Sequence, residues 1–117
     1  MDRYFIHLFT CDTCRRIKKE IGLPAYFNSH DLKKAPIPDD VLNHLLHQFK
    51  PIELVNKRSR FIRANGLKPD TMDDQSLIKY LKEEYSFMKR PIIIDGDTIF
   101  IGNSKKTVQE MKEYFAN

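Results

Sequence analysis

Cys11 and Cys14 are the two cysteines of this chain, and they stand three residues apart in Phe9-Thr10-Cys11-Asp12-Thr13-Cys14-Arg15-Arg16. A thiolate is a nucleophile toward sulfur. A second thiol one helical turn away can attack an adduct on the first and release it as an internal disulfide. Such chemistry at neutral pH requires a positive potential at the attacking sulfur, so that thiolate rather than thiol is present. The same two residues would also serve as half of a zinc site, or as small buried side chains. A structural zinc site takes about four ligands, and the chain holds no second Cys-x-x-Cys and no suitably spaced Cys/His pair. Redox or nucleophilic use is therefore the preferred reading. His44 and His47 lie three apart on a helical segment but have no carboxylate or cysteine beside them, so no metal site is assigned.

The elements around the cysteines give that chemistry its physical setting. Tyr4-Phe5-Ile6-His7-Leu8-Phe9 is aromatic and branched, the composition of a buried strand, and His7 within it is read as a hydrogen-bonded interior residue. Cys14, Ile17 and Ile21 then recur at three and four residues, a helical stripe. Cys11 falls at or just before the N-terminus of that helix, where unpaired N–H groups and the positive end of the helix dipole favour a thiolate. Arg15 and Arg16 add positive charge one turn on, and Asp12 and Thr13 are expected to cap the helix. Gly22-Leu23-Pro24 stops it. Strand, Cys-x-x-Cys, helix is a thioredoxin-like signal. A second strand is expected over Ala25–His30, which makes a right-handed βαβ crossover the start of the fold.

Residues 39–87 read as mostly helical. Val41, Leu42, Leu45, Leu46 and Phe49 form a stripe behind Asp39 and Asp40, and the helix is expected to end near Phe49. Lys50-Pro51 restarts the chain, Phe61 and Ile62 lie in a short helix closed by Asn65-Gly66, and a longer helix from Thr71 or Asp73 carries Leu77, Ile78, Leu81 and Tyr85. Arg90-Pro91-Ile92-Ile93-Ile94-Asp95 is a strand with proline at its start, Asp95-Gly96-Asp97 a turn, and Thr98–Ile101 the returning strand. A last helix with Asn103 or Ser104 as cap carries Val108, Met111 and Phe115. The expected fold class is α/β: βαβ, a helical insertion, ββα, with a four-stranded mixed sheet, in a single domain over 1–117.

At 117 residues, with 41% hydrophobic and 31% charged residues, the chain is long enough for one core without disulfide staples. No apolar run approaches the ~20 residues of a membrane span, and no secretory leader is evident. The expected location is the cytoplasm, where a vicinal thiol pair is more often catalytic or sensing than structural. The net charge is +4. Lys57, Arg58, Arg60 and Arg63 cluster, and Lys89-Arg90 and Lys105-Lys106 form pairs. Each could hold an anion or simply be a solvated basic face. No groove-binding motif supports nucleic acid as a partner.

Taken together, Cys11-Asp12-Thr13-Cys14 after an N-terminal strand, Lys57-Arg58-Ser59 in the middle, Lys89 to Asp95, and Ile101-Gly102 after it resemble the family that unites glutaredoxin-coupled arsenate reductases with the Spx regulators. The resemblance covers nearly the whole chain. It implies a thioredoxin-like fold with a helical insertion at about 39–87 and a cis peptide bond before Pro91, beside the cysteine. It also implies no bound cofactor, with glutathione as the electron donor. The reductase branch uses one cysteine as nucleophile and three arginines for the oxyanion, and its partner is glutaredoxin or glutathione. The Spx branch uses a Cys-x-x-Cys switch and binds the C-terminal domain of the RNA polymerase alpha subunit. By this resemblance Cys11 is the nucleophile, Cys14 the candidate resolving thiol, and Arg58 and Arg90 the anion-binding residues. Arg58 matches the Spx-like pattern, and the third reductase arginine would fall where this sequence has Gly102-Asn103.

Overall fold

In the computed structural model, which describes residues 2–116, the first strand is β1, Arg3–His7. It is followed by α1, Asp12–Ile21, and β2, Asn28–Asp31. The helical middle holds α2, Asp39–Leu46, α3, Arg60–Ala64, and α4, Asp74–Glu83, with short 3-10 turns between and after them. β3, Ile92–Asp95, β4, Thr98–Ile101, and α5, Lys105–Phe115, complete the order. The chain divides into two compact units, one formed by residues 1–35 with 90–117 and the other by residues 36–89.

The first unit contains the whole sheet, in the order β2-β1-β3-β4. β1 runs parallel to β2 and antiparallel to β3, and β3 and β4 form a hairpin. The sheet is therefore mixed and four-stranded. In register, Phe5 lies opposite Ile93, and Ile93 opposite Phe100, so the three side chains share one face. Cys14, Ile17 and Ile21 of α1 and Met111 of α5 pack there with Phe5, Phe27 and Ile93 into one buried cluster. Burying a stripe of this kind, rather than helix propensity, is what holds a ten-residue helix such as α1 in place. Gly22 ends α1 at φ 65°, with the Gly22 and Leu23 N–H groups donating to the Lys19 and Lys18 carbonyls at 3.2 Å. That left-handed position is one glycine takes at no steric cost.

The second strand begins later than the composition suggests. Phe27 N–H donates to the Pro24 carbonyl at 3.3 Å, so Pro24–Phe27 turns before the chain can pair with β1, and pairing starts at Asn28 opposite Tyr4. α2 likewise stops at Leu46 rather than near Phe49, although the Phe49 N–H still reaches the Leu45 carbonyl at 2.9 Å.

In the second unit, Val41, Leu42, Leu45, Leu54, Val55, Ile62, Leu77, Leu81, Phe87 and Met88 are buried. Val55 and Met88 form an antiparallel bridge flanked by Asn56 N–H to Phe87 O and Lys89 N–H to Leu54 O, both 2.8 Å. No helix among the described residues is long and apolar enough to cross a membrane.

Candidate active site

The loop from β1 into α1 delivers Cys11 as the cap of the helix. Its backbone is extended, at φ −87° and ψ 106°, and its sulfur accepts the Cys14 backbone N–H at 3.3 Å. A cap with this geometry satisfies one of the free N–H groups of the first turn. The sequence pointed to Asp12 and Thr13 as caps. The structure corrects this: Asp12 is the first helical residue, and its carboxylate pairs with Arg15 instead of opposing the Cys11 sulfur. Arg15 also donates to the Phe9 carbonyl at 2.9 Å, which ties the first turn of α1 back to the incoming loop.

The two thiols occupy different environments. Cys11 is half-buried and Cys14 fully buried. Partial burial of the Cys11 sulfur raises its pKa. Hydrogen bonds from the Cys14 thiol and backbone N–H, then the Arg90 guanidinium as a charge and as a donor, lower it by more. The Cys11 thiol therefore lies below its ordinary value. Burial pushes Cys14 up to about 12, helped by the hydrogen bond it donates to Cys11 and by the charge of that neighbour. The two sulfurs are thus shifted in opposite directions, Cys11 toward the thiolate and Cys14 toward the thiol.

Arg90 and Pro91 lead into β3. The peptide bond between them is cis, and Pro91 is buried. Two groups after β4 hold this segment: Gly102 N–H donates to the Pro91 carbonyl at 2.9 Å, and Asn103 Nδ2 to the Arg90 carbonyl at 3.4 Å. Ser104 alone is the cap of α5, with its hydroxyl accepting Thr107 N–H at 3.1 Å. Asn103, considered for that cap, instead steadies the backbone that carries Arg90. No local sequence signal marks this role, because it depends on the β3–β4 hairpin bringing residues 90 and 103 together.

Cys11, Cys14, Arg90 and Pro91 all belong to the first unit, and Arg58 to the second. Arg58 is exposed, with its N–H donating to Asn56 Oδ1 at 3.2 Å in the turn before α3. Next to it, Ser59 is buried, and its hydroxyl meets that of Ser86 at 3.1 Å. His7, expected to be interior, is half-buried and stacked on Phe5, with burial holding its imidazole below the ordinary value against the pull of Asp31. Among the described residues no cluster of three or more histidine, cysteine or acidic side chains could hold a metal ion.

Chemically, this arrangement can present a thiolate beside a guanidinium to an anionic or sulfur electrophile, with a second thiol one turn away. The ArsC family profile matches residues 7–111. Among characterised relatives, global transcriptional regulator Spx 2 of Lactococcus lactis subsp. lactis is 24% identical over 110 residues, covering 89% of this chain and 83% of the relative. Global transcriptional regulator Spx of Streptococcus agalactiae is 21% identical over 103 residues, covering 86% and 75%. In three dimensions, the solution structure of an arsenate reductase (ArsC) related protein from Brucella melitensis superposes with a TM-score of 0.69 at 19% identity, over 94% of this chain and 93% of that one. That likeness extends the thioredoxin-like fold to this chain.

Proposed function

This chain belongs to the ArsC family, and on that premise we propose that it is a thiol-dependent oxidoreductase with Cys11 as nucleophile and Cys14 as resolving thiol. The observation that carries this reading is the split between two neighbouring thiols, Cys11 lowered and Cys14 pushed up to about 12. Only the thiolate attacks sulfur, so reaction begins at Cys11.

In the first step the Cys11 thiolate attacks one sulfur of a disulfide substrate. A Cys11–S bond forms, the substrate S–S bond breaks, and the other sulfur leaves as a thiolate that takes up a proton. Cys14 then gives up its proton, attacks the Cys11 sulfur and forms the internal disulfide, and the second half of the substrate leaves as a thiol. Two electrons pass from the dithiol to the substrate. An external thiol, glutathione or that of a glutaredoxin, returns them. Once Cys11 is in the mixed disulfide it carries no charge, so part of what holds Cys14 protonated is gone at the step that needs its thiolate. Arg90 favours substrates with an anionic group near the reacting sulfur, as a glutathione carboxylate or an oxyanion provides. The family pattern gives Arg58 an anion-holding role as well, and Arg58→Ala should then raise KM for an anionic substrate while leaving kcat unchanged. A reducing, cytoplasmic setting keeps the dithiol ready.

The test is trapping. Cys14→Ser incubated with oxidised glutathione should accumulate a Cys11–glutathione adduct by intact-mass spectrometry, while the unaltered chain passes to the internal disulfide. No adduct on Cys14→Ser, or equal adduct on both proteins, would refute the assignment.

A second reading has its own support. Gly102-Asn103 stands where the reductase pattern has its third arginine, and the characterised relatives above are Spx regulators. In this reading the same dithiol is a redox switch, and the partner is the C-terminal domain of the RNA polymerase alpha subunit. Co-purification with that domain, dependent on the oxidation state of Cys11 and Cys14, would favour it over the enzyme.

A further inference from the structure

Away from the thiol pair, α1 borders a groove of about 860 Å³ that the redox chemistry does not use. Its floor is the stacked pair Phe5 and His7, with ring centroids 5.1 Å apart. Phe9 stands at the end nearer Arg15, and Gly22 and Leu23 at the far end. Arg15, Lys18, Lys19 and Gly22 come round to one side of α1 at helical spacing, so the wall is a row of cations. The Lys18 ammonium sits 5.7 Å from the Phe5 ring centroid, and the Arg15 guanidinium and Lys34 ammonium 5.8 and 6.0 Å from that of Phe9. Phe9 is 62% exposed, a large apolar side chain left in water.

We propose that this groove docks an acidic peptide segment of a partner protein, one that carries a single aromatic anchor. The anchor packs against the accessible His7 and Phe9 rings, and flanking carboxylates meet Arg16, Lys18 and Lys19, which form no ion pair among the described residues. Of the acidic groups nearby, Asp12 is already held by Arg15, and Asp31 lies opposite His7 on β2. The apolar floor argues against a purely electrostatic ligand. The cation row argues against a second copy, because the chain carries +4 and a copy would bring the same cations. From Arg15 to Gly22 the row rises ~10 Å, the length of about three residues of extended chain. Phe9 and Arg15 flank Cys11 in sequence, so a segment docked here would lie close to the thiol, whichever chemistry the thiol performs.

The experiment titrates the full chain, ¹⁵N-labelled, with a synthetic peptide of glutamates and serines bearing one central phenylalanine. Amide shifts should concentrate at Phe5, His7, Phe9, Lys18 and Lys19. Affinity should fall roughly tenfold for the double variant K18E/K19E, and likewise when the peptide phenylalanine is replaced by serine, and it should weaken with added salt. K18E/K19E alters exposed residues, and an unchanged thermal midpoint confirms that it folds. Cys11→Ser should bind as the unaltered chain does, which separates this site from the thiol chemistry. Shifts that map elsewhere, equal binding by K18E/K19E, or equal binding of the anchorless peptide would overturn the proposal. So would an oligothymidylate or anionic lipid vesicles that move the same amides at lower concentration than the peptide.

Discussion

The backbone N–H of Cys14 points at the sulfur of Cys11 across 3.3 Å, which makes the nucleophile the cap of its own helix. Structure and reactivity are thereby joined in one atom. Cys11→Ala removes the acceptor and leaves that N–H to water, at a cost of ~1 kcal/mol, within the ~0.5–2 kcal/mol typical of lost caps. Cys11→Ser keeps an acceptor in place and should unfold within about a few tenths of a kcal/mol of the reduced parent at pH below the native Cys11 pKa, where both side chains are uncharged. Urea melts of the three proteins measure both differences.

Because the native Cys11 thiol is lowered, its thiolate also couples folding to pH. Below the native pKa both the folded and the unfolded chain hold the proton, and the sulfur contributes nothing. As pH rises through the native pKa the folded chain loses its proton first, so stability increases, levelling off above the unfolded value of ~8.5. Relative to Cys11→Ser, the reduced parent should gain stability over this window and lose that gain as pH falls back through the native pKa. Paired urea melts across the range test the sign. A difference that is flat, or that shrinks as pH rises, would contradict it.

Arg90 lowers both thiols, Cys11 as charge and donor and Cys14 as charge. Arg90→Met should therefore raise the pKa of each and slow alkylation of Cys11 at neutral pH. Arg90→Lys should restore part of the rate, since an ammonium supplies the charge but not the planar fork. Stopped-flow alkylation of the three proteins at fixed pH reads the order parent, lysine, methionine.

How far the sequence carries can be seen at these same residues. The Cys14, Ile17, Ile21 stripe and the run Ile92–Ile94 were enough to place α1 and the hairpin strand, because a helical period and a run of branched residues each have one comfortable way of being buried. The start of β2 differs from the expected Ala25 because Ala25-Tyr26-Phe27 has the composition of a strand, while Pro24 starts a turn that only pairing with β1 resolves. At the site, the placement of Cys11 at a helix end follows from local pattern. The cap is Cys11 and not Asp12 or Thr13, because composition favours oxygen-bearing caps and a sulfur in that role shows only in the backbone geometry. The link from Asn103 to Arg90 spans thirteen residues of hairpin and had no local signature.

The central claim is that these two thiols differ, with Cys11 poised as the thiolate and Cys14 held as the thiol. The direct measurement is the pH dependence of iodoacetamide alkylation on the reduced chain, resolved residue by residue by peptide mass spectrometry. The structure predicts that Cys11 reacts along a curve whose midpoint lies below the ~8.5 of a free thiol, and that Cys14 stays unreactive until pH approaches about 12. Cys14 alkylated as fast as Cys11 at neutral pH, or a Cys11 midpoint at or above that of a free thiol, would contradict it.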